Sequence, residues 1–329
     1  MINTDMLRNN LPENSFLISN IVSEIKSVFP CTTTAAMTTY YSGLSPNEHG
    51  WLGWSLYFKE YSRTIDAFTN QDSFTKENAG EKHAAYTIMP YETIFEKINK
   101  ATGGKTQIYT IIPSGISLPE YPNTNIKVNN TEQICNNVKS LCAKCKNKFI
   151  MSYWFEPDAS MHTHGCYAQQ VKMQIGMINR QVEEMCNGLE DTIVIISADH
   201  GLINIDKEIY LNDIPEIDEC LVMPPSIESR AVSLFIKPEM KSIFEERFKK
   251  LFGSSFDLYT KDEIMQSKFF GYGFQHKKID DFTGDYIACA TGDVMLRYKT
   301  VNSENEYKFK GHHAGLMAEE MLVPLIIIE

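Results

Sequence analysis

Residues 149–165 read FIMSYWFEPDASMHTHG, an apolar run of strand length that ends in one carboxylate and two imidazoles. Asp158 and His162 are four residues apart, so a helical turn starting at the aspartate puts both on one face. Two readings are open at this point: a pair of ligands, or a helix cap with two histidines on a polar surface. Similar strand-sized runs recur at QIYTII (107–112), TIVIIS (192–197), VSLFI (232–236), YIACAT (286–291) and LVPLIII (322–328). Between them lie helical patterns at 91–102, 131–148, 167–189 and 237–253. Unbroken β-branched and aromatic runs belong to sheets covered on both faces. Their alternation with helices predicts an α/β fold, a doubly wound, mainly parallel sheet with helices on both faces. Residues 1–205 and 281–329 are expected to form this core. The polar, proline-containing stretch at 206–280 breaks the alternation and reads as a small α+β insertion.

An open α/β sheet binds ligands at the carboxyl ends of its strands. The polar residues that follow each run therefore test the reading. TIVIIS is followed by ADHGL, with Asp199 and His200, and GHHAGL, with His312 and His313, precedes the last run. Only His49, His83 and His276 lie away from such positions. Carboxylate and imidazole ligands suit zinc before manganese or iron. A pair of such ions about 4 Å apart forms a clamp for in-line phosphoryl displacement.

The chain has 329 residues, 43% hydrophobic and 22% charged, enough for one sizeable α/β domain with an insertion. Its net charge of −11, with the acidic residues dispersed, argues against binding long nucleic acids through their phosphates. A small phosphorylated substrate stays open, because a bound cation reverses the local field. No apolar run reaches the length of a membrane span and the opening residues carry no signal-peptide pattern. Eight cysteines are scattered without a disulfide rhythm. The lone Cys142–Cys145 pair reads as neighbouring helical turns before it reads as a zinc or redox motif. A reducing, cytoplasmic setting is expected.

A nucleophile is offered by FPCTTTAAMTTYYSGLSPNEHG (29–50), where a threonine cluster opens a small-residue helix. A hydroxyl at a helix N-terminus faces free N–H groups and suits a phosphate oxygen. Thr32, Thr33 and Thr34 are equally readable as caps of that helix.

Taken together, these segments resemble the alkaline phosphatase superfamily, in its nucleotide pyrophosphatase/phosphodiesterase-like branch. That branch carries its nucleophile in FPT.T…TGL.P..HG, and register with SGL places the family's threonine on Thr33. Its EPD..GH..G is similar to EPDASMHTHG, with Met161 where a glycine is usual, and gives Asp158 and His162. Its SDHG is similar to SADHG, giving Asp199 and His200, and its late HG is similar to HAG, giving His313. The resemblance runs from residue 15 to 329 in order. It implies two divalent metal ions, zinc by preference: one on Asp158, His162 and His313, the other sharing Asp199 and His200. It further implies hydrolysis of a phosphoric ester, a phosphodiester or phosphomonoester, through a phosphothreonine.

The resemblance departs at two places. The family's first strand is an apolar run ending in Asp-Gly, whose aspartate is a ligand of the second ion, and MINTDMLRNN holds no such run. Asp5 is expected to be a polar helix cap. The expectation that follows is a core lacking that strand, with a deficient second site. The rival reading is then a catalytically impaired relic or a single-metal binding protein. Where family phosphodiesterases place an asparagine on a phosphate oxygen, this chain has WLGW, with Trp54 nearest in register. Arg230 is read as a surface ion pair, or else as an anion contact.

Overall fold

The computed structural model describes residues 2–116, 121–144, 146–300 and 308–329. Cys145 lies outside the described residues. Three sheets organise the chain, and most of their strand pairs are antiparallel. This corrects the expectation of a doubly wound, mainly parallel sheet, while the mixed α/β class stands.

Gln107–Pro113 pairs in parallel with Thr124–Val128 on one side and Lys148–Ser152 on the other. This small sheet is covered on both faces. Met37, Tyr41 and Phe95, from helices Thr33–Ser42 and Ile94–Thr102, pack on Ile108, Phe149 and Met151. Leu141, Ile134 and Val138 of helix Thr131–Cys142 pack on Ile111, Val128 and Ile150. Helix Ile94–Thr102 starts at a capping box between Thr93 and Glu96 and stops at Gly103, in the left-handed region where a glycine is strain-free.

The final strand Leu322–Ile328 lies between Ile21–Lys26 and Val194–Ser197, antiparallel to both. Helices Thr4–Asn10 and Gln169–Cys186 bury Met6, Leu7, Val171 and Ile175 against this sheet. An all-apolar strand signals cover on both faces and says nothing about direction. Between residues 197 and 322 the chain passes through another sheet, so no short helical crossover fixes the two strands as parallel. Among the described residues, neither Lys148–Ser152 nor Val194–Ser197 has a partner on its outer edge. Ile193 and Ile195 are accordingly 67% and 66% exposed.

The third sheet has seven antiparallel strands. It takes Ser226–Ile227, Ala231–Leu234 and Phe256–Thr260 from the 206–280 stretch, and Ser55–Phe58, Arg63–Asp66, Gln71–Asp72 and Tyr286–Ala290 from outside it. Phe244, Phe248 and Phe252, one face of helix Lys241–Phe252, close it with Val232, Leu234 and Ala288.

Asp5 is not a cap. Asn3 takes that place, accepting from the Met6 N–H at 2.6 Å, and Asp5 sits in the exposed first turn opposite Arg8. No helix among the described residues is long and apolar enough to cross a membrane.

Candidate active site

Strand Lys148–Ser152 leads into the short helix Asp158–His164, which ends at Gly165. Its i,i+4 geometry brings the Asp158 carboxylate to 3.5 Å from His162 Nε2. His313 comes from the other end of the chain. The two-residue strand Gly311–His312 pairs with Ile203–Asn204 and carries it into place. Single ligand atoms of Asp158, His162 and His313 all lie within 4.8 Å of one another. No other such trio occurs among the described residues.

Val194–Ser197 ends in the turn that bears Asp199 and His200, both buried. Gly201 is required there, because a Cβ would stand 2.0 Å from the Glu319 carbonyl oxygen. The His200 ring stacks on that of His313, with centroids 3.8 Å apart. Its Nε2 meets the Thr33 hydroxyl at 3.1 Å. Thr33 opens the helix Thr33–Ser42, and the hydroxyls of its two neighbours do not share the His200 contact. Thr32 donates its hydroxyl to Glu228 at 2.6 Å, and Thr34 is fully buried with no hydroxyl partner among the described residues.

Three imidazoles share one device. Nδ1 of His162, His200 and His313 stands 2.7, 2.9 and 3.1 Å from the carbonyls of Gly311, Gly201 and Cys31. A carbonyl only accepts, so Nδ1 carries the hydrogen and Nε2 is left as the basic, ligating nitrogen. Burial, with His200 and His312 beside it, holds the His313 pKa well below the ordinary histidine value, keeping the ring neutral. Burial pulls His162 down too, but the Asp158 charge outweighs it and raises the pKa. On Asp158 burial acts upward and His162 prevails, leaving its pKa lowered. Asp158 Oδ1 is buried with no hydrogen-bond partner among the described residues. A stranded carboxylate oxygen beside two imidazole Nε2 atoms fits a divalent cation, which would displace any proton on His162.

Residues 4–315 match the family described as type I phosphodiesterase / nucleotide pyrophosphatase. The chain belongs to that family. The bovine bis(5'-adenosyl)-triphosphatase ENPP4 is 24% identical over 210 residues, 61% of this chain and 44% of that protein. The match therefore spans less than half of that relative's length. Murine ENPP5 shares the fold at a TM-score of 0.68 and 16% identity, over 98% of this chain and 85% of that one. Phosphonoacetate hydrolase from Sinorhizobium meliloti 1021, solved with phosphonoformate, does so at 0.67 and 14%, over 98% and 86%.

This phosphodiesterase-family chain puts some sequence candidates elsewhere. His164 is exposed at the end of its helix. His312 is buried, its Nδ1 accepting from the His313 N–H at 2.9 Å, and burial holds its pKa well below the usual value. Arg230 is not a surface residue. It is fully buried in a two-pronged pair with Glu320, at 2.7 Å for each prong. Glu320 also accepts from the Gly315 N–H at 2.8 Å, tying the pair to the loop that carries His313. Trp51 is buried, donating to the Met89 carbonyl, while Trp54 is 37% exposed. Two residues near Thr33 escaped the sequence reading. Tyr153 lies beside Thr33, and burial, with Asp199 and Asp158, raises its pKa well above the ordinary value, so it stays a phenol. Glu228 reaches Thr32 from the hairpin of Ser226–Ile227 and Ala231–Leu234 in the seven-stranded sheet. Tyr153 ends an apolar run and Glu228 lies far away in sequence, so neither carried a motif signal.

Proposed function

We propose that the chain is a metal-dependent hydrolase of phosphoric esters with Thr33 as its nucleophile. The observation that carries this reading is the Thr33 hydroxyl, 3.1 Å from His200 Nε2 at the edge of the Asp158–His162–His313 trio. A nucleophile beside a basic nitrogen, with a cluster of ligands next to it, is the arrangement that phosphoryl transfer to a side chain needs. Support comes from an inactive threonine-to-alanine variant of murine ENPP5, whose structure holds AMP.

Asp158, His162 and His313 would hold one divalent ion, zinc by donor type, and Asp199 with His200 would belong to a second. Bound there, such ions supply Lewis acidity for a phosphoryl oxygen and for the hydroxyl that attacks it. Thr33 Oγ1 forms the bond to phosphorus, and the ester oxygen departs with the electron pair of the broken P–O bond and takes up a proton. Water then cleaves the phosphothreonine, restoring the hydroxyl and releasing the phosphoryl group. Tyr153, kept protonated beside Thr33, would offer its phenol to the Thr33 oxygen or to a phosphoryl oxygen. Trp54, half exposed nearby, offers an aromatic face to a substrate base, in keeping with small nucleotides as substrates.

A second reading is a protein that holds one metal and turns over slowly. Its motive is that the described residues gather one ligand trio and only a pair, Asp199 and His200, beside it. One experiment separates the two: metal content per chain by elemental analysis, with turnover of an aryl phosphodiester and an aryl phosphomonoester. Two ions and turnover that disappears in Thr33→Ala support the hydrolase. One ion, with turnover that stays slow or absent at any metal concentration, supports the second reading.

A further inference from the structure

The turn that carries Glu228, whose carboxylate meets the residue next to Thr33, is constrained at three points. It is the tight turn between Ser226–Ile227 and Ala231–Leu234. Ile227, a β-branched residue, sits at φ 75°, a left-handed conformation that such side chains avoid. The turn is pressed onto Gly53, where a Cβ would lie 2.7 Å from the Ile227 carbonyl oxygen. The adjoining Arg230 anchors the turn from behind through Glu320 and the carbonyls of Gly292 and Val294. The constrained turn sets where Glu228 leaves the backbone, and its bonds from Thr32 and Trp54 set where the carboxylate lies.

Glu228 Oε1 accepts from Thr32 Oγ1 at 2.6 Å and from the Trp54 N–H at 2.8 Å. Both of these bonds fall on Oε1, and the half-buried side chain leaves Oε2 free of them. Thr32 is the residue before the nucleophile, and no cation among the described residues forms an ion pair with Glu228. The titratable groups that act on it through charge are His162, which lowers its pKa, and Asp66, which raises it.

Resting on the hydrolase reading above, we propose that Glu228 is a specificity-determining residue, a fixed negative charge that favours monoanionic phosphodiesters over dianionic phosphomonoesters. A monoester carries one more negative charge near Thr33 than a diester does, and a neighbouring carboxylate repels that extra charge selectively. Burial pushes the Glu228 carboxyl up to about 7, against the pull of its bonds from Thr32 and Trp54. Above that value it is ionised, and the discrimination operates.

The test compares kcat/KM for p-nitrophenyl phosphate and bis(p-nitrophenyl) phosphate at about pH 8.5, where the monoester is a dianion. The proteins are the metal-loaded wild type, E228Q and E228D. Glutamine keeps an acceptor for Thr32 and Trp54 but removes the charge. Its monoester-to-diester ratio is expected to rise on the order of tenfold, while E228D stays near the wild-type ratio. A merely structural role lowers both substrates together and leaves the ratio unchanged, and that result overturns the proposal. If the wild type hydrolyses neither probe, the hydrolase reading fails by itself. Calorimetric binding of inorganic phosphate then decides on Glu228: E228Q must bind it on the order of tenfold more tightly at the same pH, and equal affinity overturns the proposal.

Discussion

Replacing Arg230 with leucine strands the Glu320 carboxylate in a fully buried position. The guanidinium makes four hydrogen bonds, two to Glu320 and one each to the carbonyls of Gly292 and Val294, and all four are lost. Breaking a buried ion pair from one side costs about 3–5 kcal/mol, mostly the desolvation of the charge left behind. The unfolding entropy of 329 residues, at about 2.1 cal/mol/K each, is about 0.7 kcal/mol/K. Arg230→Leu should therefore lower Tm by about 4–7 °C in a calorimetric scan of the metal-free protein. Glu320 also receives the Gly315 N–H, so metal affinity at His313 should weaken as that loop loosens. The double variant Arg230→Met/Glu320→Leu removes both charges and should regain much of the Tm. It cannot regain the Gly315 bond, so its metal affinity stays low. A single variant that melts within about 1 °C of the wild type, or a double variant with full metal affinity, refutes the anchoring role.

Further outcomes can be measured in parallel. Thr33→Ala should cut turnover on the order of a thousandfold or more with metal content and Tm unchanged; an active Thr33→Ala beside a dead Thr34→Ala would move the nucleophile by one residue. His313→Ala should reduce bound metal by about one ion per chain, and an unchanged elemental analysis removes His313 from the ligand set. Burial lowers the pKa of His49 to about 3, with its ring nitrogens 3.1 Å from Thr39 Oγ1 and 3.0 Å from the Trp51 N–H. The folded state keeps it neutral where the unfolded chain takes up a proton, so its contribution is complete above about 6.5 and falls away below that. Between about pH 6 and 4 the wild type should lose stability about 1 kcal/mol per pH unit more steeply than His49→Gln; parallel denaturant profiles would count against this.

The layout of the site was more legible in the sequence than the layout of the sheets. Asp158 and His162 could be joined from spacing alone, since a helical turn fixes i,i+4 neighbours whatever surrounds it. Strand direction is a non-local property. FIMSYW and LVPLIII look alike as apolar runs, yet the segment containing the first pairs in parallel and the second antiparallel, because different stretches of chain intervene. Ile21–Lys26 was invisible for a related reason. It is an edge strand with mostly exposed residues, so its composition is that of a surface segment.

Arg230 shows where composition misleads outright. A charged residue after a serine-rich turn reads as surface, and only the partner ninety positions away, Glu320, makes its burial tolerable. The same holds for Glu228, which nothing in its neighbours marks as facing Thr32. Both residues flank one hairpin turn, and that turn reaches the candidate site by two routes: Glu228 through Thr32, next to Thr33 in the chain, and Arg230 through Glu320 behind the loop of His313. The hairpin thus links the seven-stranded sheet to the ligand cluster, although none of its residues belongs to a ligand motif. Variants of Glu228 should change which ester is accepted, and variants of Arg230 should change how well metal is held. If either substitution produced both effects in equal measure, the turn would be acting as one rigid support rather than as two separate contacts.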